Sequence, residues 1–170
     1  MAKYGYVNTM RCMGMDVDAL LATGINANTA IQNGFFVTVG DYQNTNGAVN
    51  EFVYDVTLAA ASTKGNYVVR TPEVGIDILT QVYADPRMFI NEAGQPMQLV
   101  YMIPGVDIIE VTAETLDQPA AKGNYYTLVN GQLTKGAQTA NATCFECLGT
   151  HTIEFGTEVA TTYLMKCVAN

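Results

Sequence analysis

From Gly34 onward the chain is a succession of short strand-like runs, each cut off by glycine, asparagine or proline. The runs are rich in Val, Ile, Tyr, Phe and Thr, residues that suit a pleated, half-buried surface. Turn residues at this density leave no room for a long helix and favour a sandwich or a barrel. Residues 35–39 form the first run, stopped at Gly40-Asp41. Residues 41–50 are polar and Asn-rich and read as a loop. Residues 51–60 alternate cleanly: Phe52, Tyr54, Val56 and Leu58 share one face, Glu51, Val53, Asp55 and Thr57 the other.

Lys64-Gly65-Asn66 turns the chain into Tyr67-Val68-Val69-Arg70, and Thr71-Pro72 ends pairing because proline has no amide donor. Residues 98–103 and 108–112 read as strands joined by Pro104-Gly105, with Thr112 capping a short turn through Leu116. Residues 125–129 and 132–134 form a hairpin around Asn130-Gly131, a pair suited to a type I′ turn because both positions need positive φ. The last strands read as residues 142–148, 152–155 and 159–168. In the final one Val159, Tyr163, Met165 and Cys167 share a face.

Residues 1–33 are less regular. Asp16 through Ala22 could wind two helical turns, with Asp16 as N-cap and Gly24 ending them. The polar run from Asn26 to Gly34 reads as an extended arm or loop. The expected fold is therefore mainly β. A single compact β-barrel or β-sandwich domain spans residues 34–170, preceded by an irregular N-terminal arm over residues 1–33, with at most short helical turns. At 170 residues the chain can bury one sizeable core.

Charge narrows the function classes. The formal net charge is −8, and the eight basic residues are scattered from Lys3 to Lys166. Nucleic acid binding needs a basic patch to displace phosphate counterions, and an anionic membrane surface needs the same. Neither partner is expected. The N-terminus has no apolar h-region and no run approaches a membrane span, so synthesis in a cytosol without export is expected. Charged residues make up only 14%, against roughly 25% in typical soluble domains. Polar surface must come from Thr, Asn, Gln and Ser, as in proteins whose surface meets other protein.

The residue types that carry chemistry do not assemble into a constellation. Cys144 and Cys147 form one Cys-x-x-Cys, but Cys12 and Cys167 are distant singles, whereas a zinc ribbon needs two knuckles. In a strand Cys144 and Cys147 point to opposite faces, so the expectation is reduced, buried thiols. His151 is the lone histidine, in the apparent turn Gly149-Thr150-His151-Thr152, and reads as a solvated loop residue rather than a base. Glu73 with Asp77, or Glu92 with Asp107, could pair as glycosidase carboxylates, but sixteen acids on one surface always supply such pairs. Asp16-Val17-Asp18 is too short for a calcium loop, and no phosphate-binding glycine motif is present. Tyr125 and Tyr126 could belong to a carbohydrate platform, yet in a strand they face opposite ways. No catalytic, cofactor-binding or metal site is assigned, and no enzymatic activity is expected.

One stretch carries a family resemblance. Asn33-Gly34-Phe35-Phe36-Val37-Thr38-Val39-Gly40-Asp41 and the amphipathic run 51–60 come first. Thr71-Pro72-Glu73-Val74 and Phe89-Ile90-Asn91-Glu92-Ala93-Gly94-Gln95-Pro96 follow, then Pro104-Gly105-Val106-Asp107-Ile108-Ile109-Glu110-Val111-Thr112 and Glu114-Thr115-Leu116. In this order of segments, over about three quarters of its length, the chain resembles the capsid decoration (cement) proteins of tailed bacteriophages. The resemblance implies a virion protein made in the bacterial cytoplasm, which binds the major capsid protein on the outer surface of the head and stabilises it. Homo-oligomers, trimers included, are compatible with it. Another virion component, such as a head fibre base or tail protein, and a carbohydrate- or receptor-binding β-module are the alternatives.

Overall fold

The computed structural model describes residues 3–45, 48–73 and 85–170. Strands β1 (Val7–Arg11), β2 (Leu21–Ile25), β3 (Phe36–Thr45), β4 (Ala48–Leu58), β5 (Tyr67–Val69) and β6 (Pro96–Tyr101) form the first half. Strands β7 (Ile108–Thr112), β8 (Tyr125–Val129), β9 (Gln132–Gly136), β10 (Cys144–Phe155) and β11 (Glu158–Ala169) form the second. The only helical elements among the described residues are single 3₁₀ turns, such as Met13–Met15 and Asp18–Leu20. The protein is mainly β, as its turn-punctuated runs require.

The strands make two layers. One is a six-stranded antiparallel sheet in the order β1-β7-β11-β10-β8-β9; the other is a closed five-stranded barrel, β2-β4-β3-β5-β6. β2 closes the barrel by pairing antiparallel with β6 and parallel with β4. Closure removes the exposed edges that would otherwise template aggregation.

Period-2 alternation explains why several barrel strands are apolar on both faces. Phe36 sits opposite Val68, and Val68 opposite Val100. These three join Met102 in a core shared with Val7, Ile109, Val111, Tyr126, Phe145, Met165 and Cys167 of the sheet. The alternate residues Val37, Val69 and Leu99 pack with Ile31, Val56 and Met97 in a second cluster. Gly24 belongs there, since a Cβ on it would lie 2.6 Å from Val56 and 2.8 Å from Leu99. Each fully buried aliphatic or aromatic side chain contributes roughly 1.5–3 kcal/mol through burial, so the two clusters dominate the fold's stability.

The Asn130-Gly131 turn fastens one layer to the other. Asn130 (φ 50°) and Gly131 (φ 76°) both take the positive angles of a type I′ turn. The Gly131 N–H donates to the Ala59 carbonyl at 2.9 Å, and the Phe36 N–H donates to the Gly131 carbonyl at 2.8 Å.

Four expectations change. The polar run 41–50 is not a loop, because β3 and β4 extend through it as a hairpin paired at Asn44↔Val49 and Thr45↔Ala48; residues 46–47 lie outside the described residues. Cross-strand contacts such as the stacked Tyr42–Tyr54 rings, 4.6 Å apart, outweigh the low β-propensity of Asn and Asp there. Residues 149–152 are not a turn either. β10 runs on to Phe155 with a register shift between Cys147 and Gly149, and the reversal comes at Gly156 (φ 61°).

The two helical turns expected from Asp16 shrink to the 3₁₀ turn Asp18–Leu20, with Asp16 capping the C-terminus of the preceding one and Gly24 inside β2. Residues 1–33, expected as an arm, supply one strand to each layer. Their polar side chains stand in for backbone partners. Asn26 accepts from the Asn28 and Thr29 N–H groups and donates to the Val56 carbonyl. Asn33, fully buried, donates to the Thr71 carbonyl and accepts from the Thr71 N–H and the Asn91 amide. Polar residues bonded in this way can be buried without loss.

Candidate functional site

The outer face of the six-stranded sheet carries a cleft of about 470 Å³ beside the edge strand β1. Asn8, Met10 and Arg11 form one wall, with Ile108, Glu110, Leu164 and His151 of β7, β11 and β10 opposite. Arg11 stands opposite Ile108, and the β1–β7 register shifts between Asn8 and Arg11. Met10 is 89% exposed, and its N–H is taken by the Asn8 side chain at 3.0 Å. That internal bond blunts β1 as an edge, since one N–H is withdrawn from further strand pairing.

Glu110 organises the far wall. Its carboxylate oxygen Oε1 accepts from the Thr162 hydroxyl at 2.5 Å and lies 2.8 Å from His151 Nδ1. The Glu110 side chain is 11% exposed, His151 is 61% exposed, and Thr162 is buried. A carboxylate on Nδ1 fixes the imidazole's orientation and leaves Nε2 as its free nitrogen. The Thr162 hydroxyl spends its proton on Glu110 and is shielded from solvent, so it is no nucleophile for an external substrate. The arrangement can hold a ligand, and it lacks the nucleophile–base bond of a triad.

Of the residues singled out in the sequence, His151 lies on this cleft, in strand β10 rather than in a turn, and the others fall elsewhere. Cys12, Cys144, Cys147 and Cys167 are all free and buried. Burial, then the Asp107 charge, pushes Cys12 and Cys167 up to about 12, and burial raises Cys144 and Cys147 as well. They are protonated packing residues at neutral pH. Phe145 and Cys147 face the large core, while Cys144 lies outside that cluster.

Asp107 is fully buried and serves the backbone: Oδ1 accepts from the Met13 N–H at 2.9 Å and Oδ2 from the Ile103 N–H at 2.7 Å. Glu92 is exposed on the turn before β6. Glu73 accepts from the Asn33 amide, while Asp77 and Val74 lie outside the described residues. Asp16 and Asp18 are exposed. Tyr126 is buried, its hydroxyl accepting from the Ala121 N–H, and Tyr125 is half-buried, as alternation requires. Thr112 precedes the 3₁₀ turn Ala113–Thr115, yet its hydroxyl accepts from Tyr6 instead of capping that turn.

A second polar cluster lies at the tip of the β10–β11 hairpin. Arg87, nearly buried, forms a two-pronged pair with Asp85 and reaches Glu158 at 2.9 Å, with its guanidinium 4.7 Å above the Phe155 ring. Lys3 also meets Glu158, so the cluster ties the N-terminal segment to the hairpin. Neither cluster was singled out in the sequence. Glu110, His151 and Thr162 lie 41 and 52 residues apart, and only the strand order brings them together.

Among the described residues no group of three or more His, Cys, Asp and Glu is placed to hold a metal ion, and no helix is long and apolar enough to cross a membrane. No protein-family model matches the chain, and no curated protein or solved structure does.

Proposed function

We propose that this chain is a non-enzymatic structural protein of a tailed-phage virion, which binds the outer surface of the assembled head and stabilises the capsid. The observation that carries the reading is the apolar surface at the sheet edge. Met10, Met13 and Val17 are exposed within eight residues of one another, on a framework that leaves no described buried side-chain nitrogen or oxygen without a partner. Solvent-facing apolar side chains suit a protein contact, and methionine adapts to irregular partners. The resemblance of its order of segments to that of decoration proteins supports the same reading.

The partner is the major capsid protein. Stabilisation follows from mass action, because a ligand that binds only the assembled shell shifts assembly toward it. Self-association into trimers fits the same role. Mass spectrometry of purified virions, with antibody-labelled microscopy, tests this: the chain should be found on the head, and its absence from virions would overturn the reading. A carbohydrate- or receptor-binding module is the second reading, favoured by Tyr42, whose exposed ring stacks on Tyr54 at the β3–β4 hairpin. Glycan binding with no affinity for shells would establish it instead.

A further inference from the structure

We propose that the cleft between β1 and the β7–β11–β10 face binds a carboxylate side chain presented on an extended, partly aliphatic segment of a partner protein. The identity of the partner as the capsid protein rests on the function proposed above; the chemistry of the cleft does not.

Part of the lining is already engaged. One Glu110 oxygen, Oε1, is committed to Thr162 and His151. The Asn8 side-chain oxygen Oδ1 is committed to the Met10 N–H. The Arg11 guanidinium, the Asn8 side-chain amide nitrogen and the outer nitrogen of His151 make no hydrogen bond or ion pair among the described residues, and neither does the second Glu110 oxygen. In a chain of net charge −8, this cleft offers an unpaired cation, an amide and an imidazole beside one part-bonded carboxylate. Arg11 offers paired donors that match a carboxylate. Met10, Ile108 and Leu164 supply the apolar wall for the neighbouring methylenes.

With Nδ1 directed at Glu110, the outer nitrogen of His151 is the one a bound ligand meets. The groups facing His151 are Glu110 on β7, Arg11 on β1 and the uncharged Thr162 and Leu164 on β11.

Sodium hexanoate serves as the test compound, with hexan-1-ol and hexylammonium as controls. The full chain has one histidine, so a single imidazole proton resonance reports the site. Hexanoate should move that resonance saturably, and bind about tenfold more weakly in Arg11→Gln. Both Arg11 and His151 are exposed, so these variants fold. Equal binding by Arg11→Gln, or equal shifts from hexan-1-ol, would overturn the anion site.

Co-sedimentation with assembled shells separates the two proposals. Wild-type binding that Arg11→Gln and His151→Gln both weaken supports the docking site. Wild-type binding that neither variant changes overturns the docking site and leaves the function standing. No wild-type binding overturns the function and the partner, while the hexanoate titration still decides the chemistry of the cleft.

Discussion

Arg87 is the residue whose loss the fold should feel most sharply among the charged positions. It is nearly buried, and its guanidinium is shared between Asp85, Glu158 and the Phe155 ring. Removing one member of a buried pair costs more than the pair contributes, because the remaining charge stays desolvated. Arg87→Met should destabilise by about 3 kcal/mol, read as a lower midpoint in urea. The pair also sets an acid limit. The Arg87 hydrogen bonds hold the Asp85 carboxyl below its ordinary range, so this contribution is complete above about pH 4 and is lost as pH falls through the depressed value.

The buried thiols act at the opposite end of the scale. Their raised values mean that the unfolded chain releases protons first. Stability should therefore fall as pH rises from about 9 toward about 12, with half-buried Tyr6 and buried Tyr163 adding to the loss. At about pH 8 a thiol reagent should label all four cysteines in denaturant and none in the folded protein over the same interval. Rapid labelling of the native state would contradict the burial. This inertness was legible in the sequence, because cysteine without metal spacing defaults to packing. The role of Asp107 was not: an acid beside Pro104-Gly105 looks solvated until the fold brings Met13 and Ile103 amides to it.

At the scale of elements, the β8–β9 hairpin is the clearest success of local reading, since Asn-Gly specifies its turn wherever the chain places it. What the turn does was hidden. Its backbone bonds to Ala59 and Phe36 join the sheet to the barrel, and a Cβ at Gly131 would lie 2.7 Å from the Phe36 carbonyl. Gly131→Ala combines a strained positive φ with that clash and should cost about 2–3 kcal/mol or more. A substitution at Gly123, also at positive φ but with open space around it, should cost less. Comparable urea midpoints for the two variants would show that the turn does not fasten the layers.

The strands of residues 1–33 were illegible for a related reason. β1 and β2 are five residues each, and their pairing partners lie far along the chain. Their sequence carries Asn, Thr and Gly where a strand is expected to carry branched apolar residues. Side chains such as Asn26 and Asn33 satisfy backbone groups that water would otherwise take, and no local pattern announces that. The alternating run in β4 was legible because Val56 is buried and Tyr54 and Leu58 pack beside it in the barrel cluster.

For the whole molecule, a closed barrel fastened to a six-stranded sheet carries exposed Met10 on its edge strand and a cleft beside it. Strand order alone creates the cleft, by setting β7 between β1 and β11. The proposed role asks the molecule to recognise an assembled surface rather than a single subunit. Sedimentation of the purified chain with assembled shells, and separately with free major capsid protein, tests that most directly. The expected result is saturable binding to shells, none to free subunits, and shells that withstand higher temperature when decorated. Failure to bind shells, or equal binding to free subunits, would contradict it.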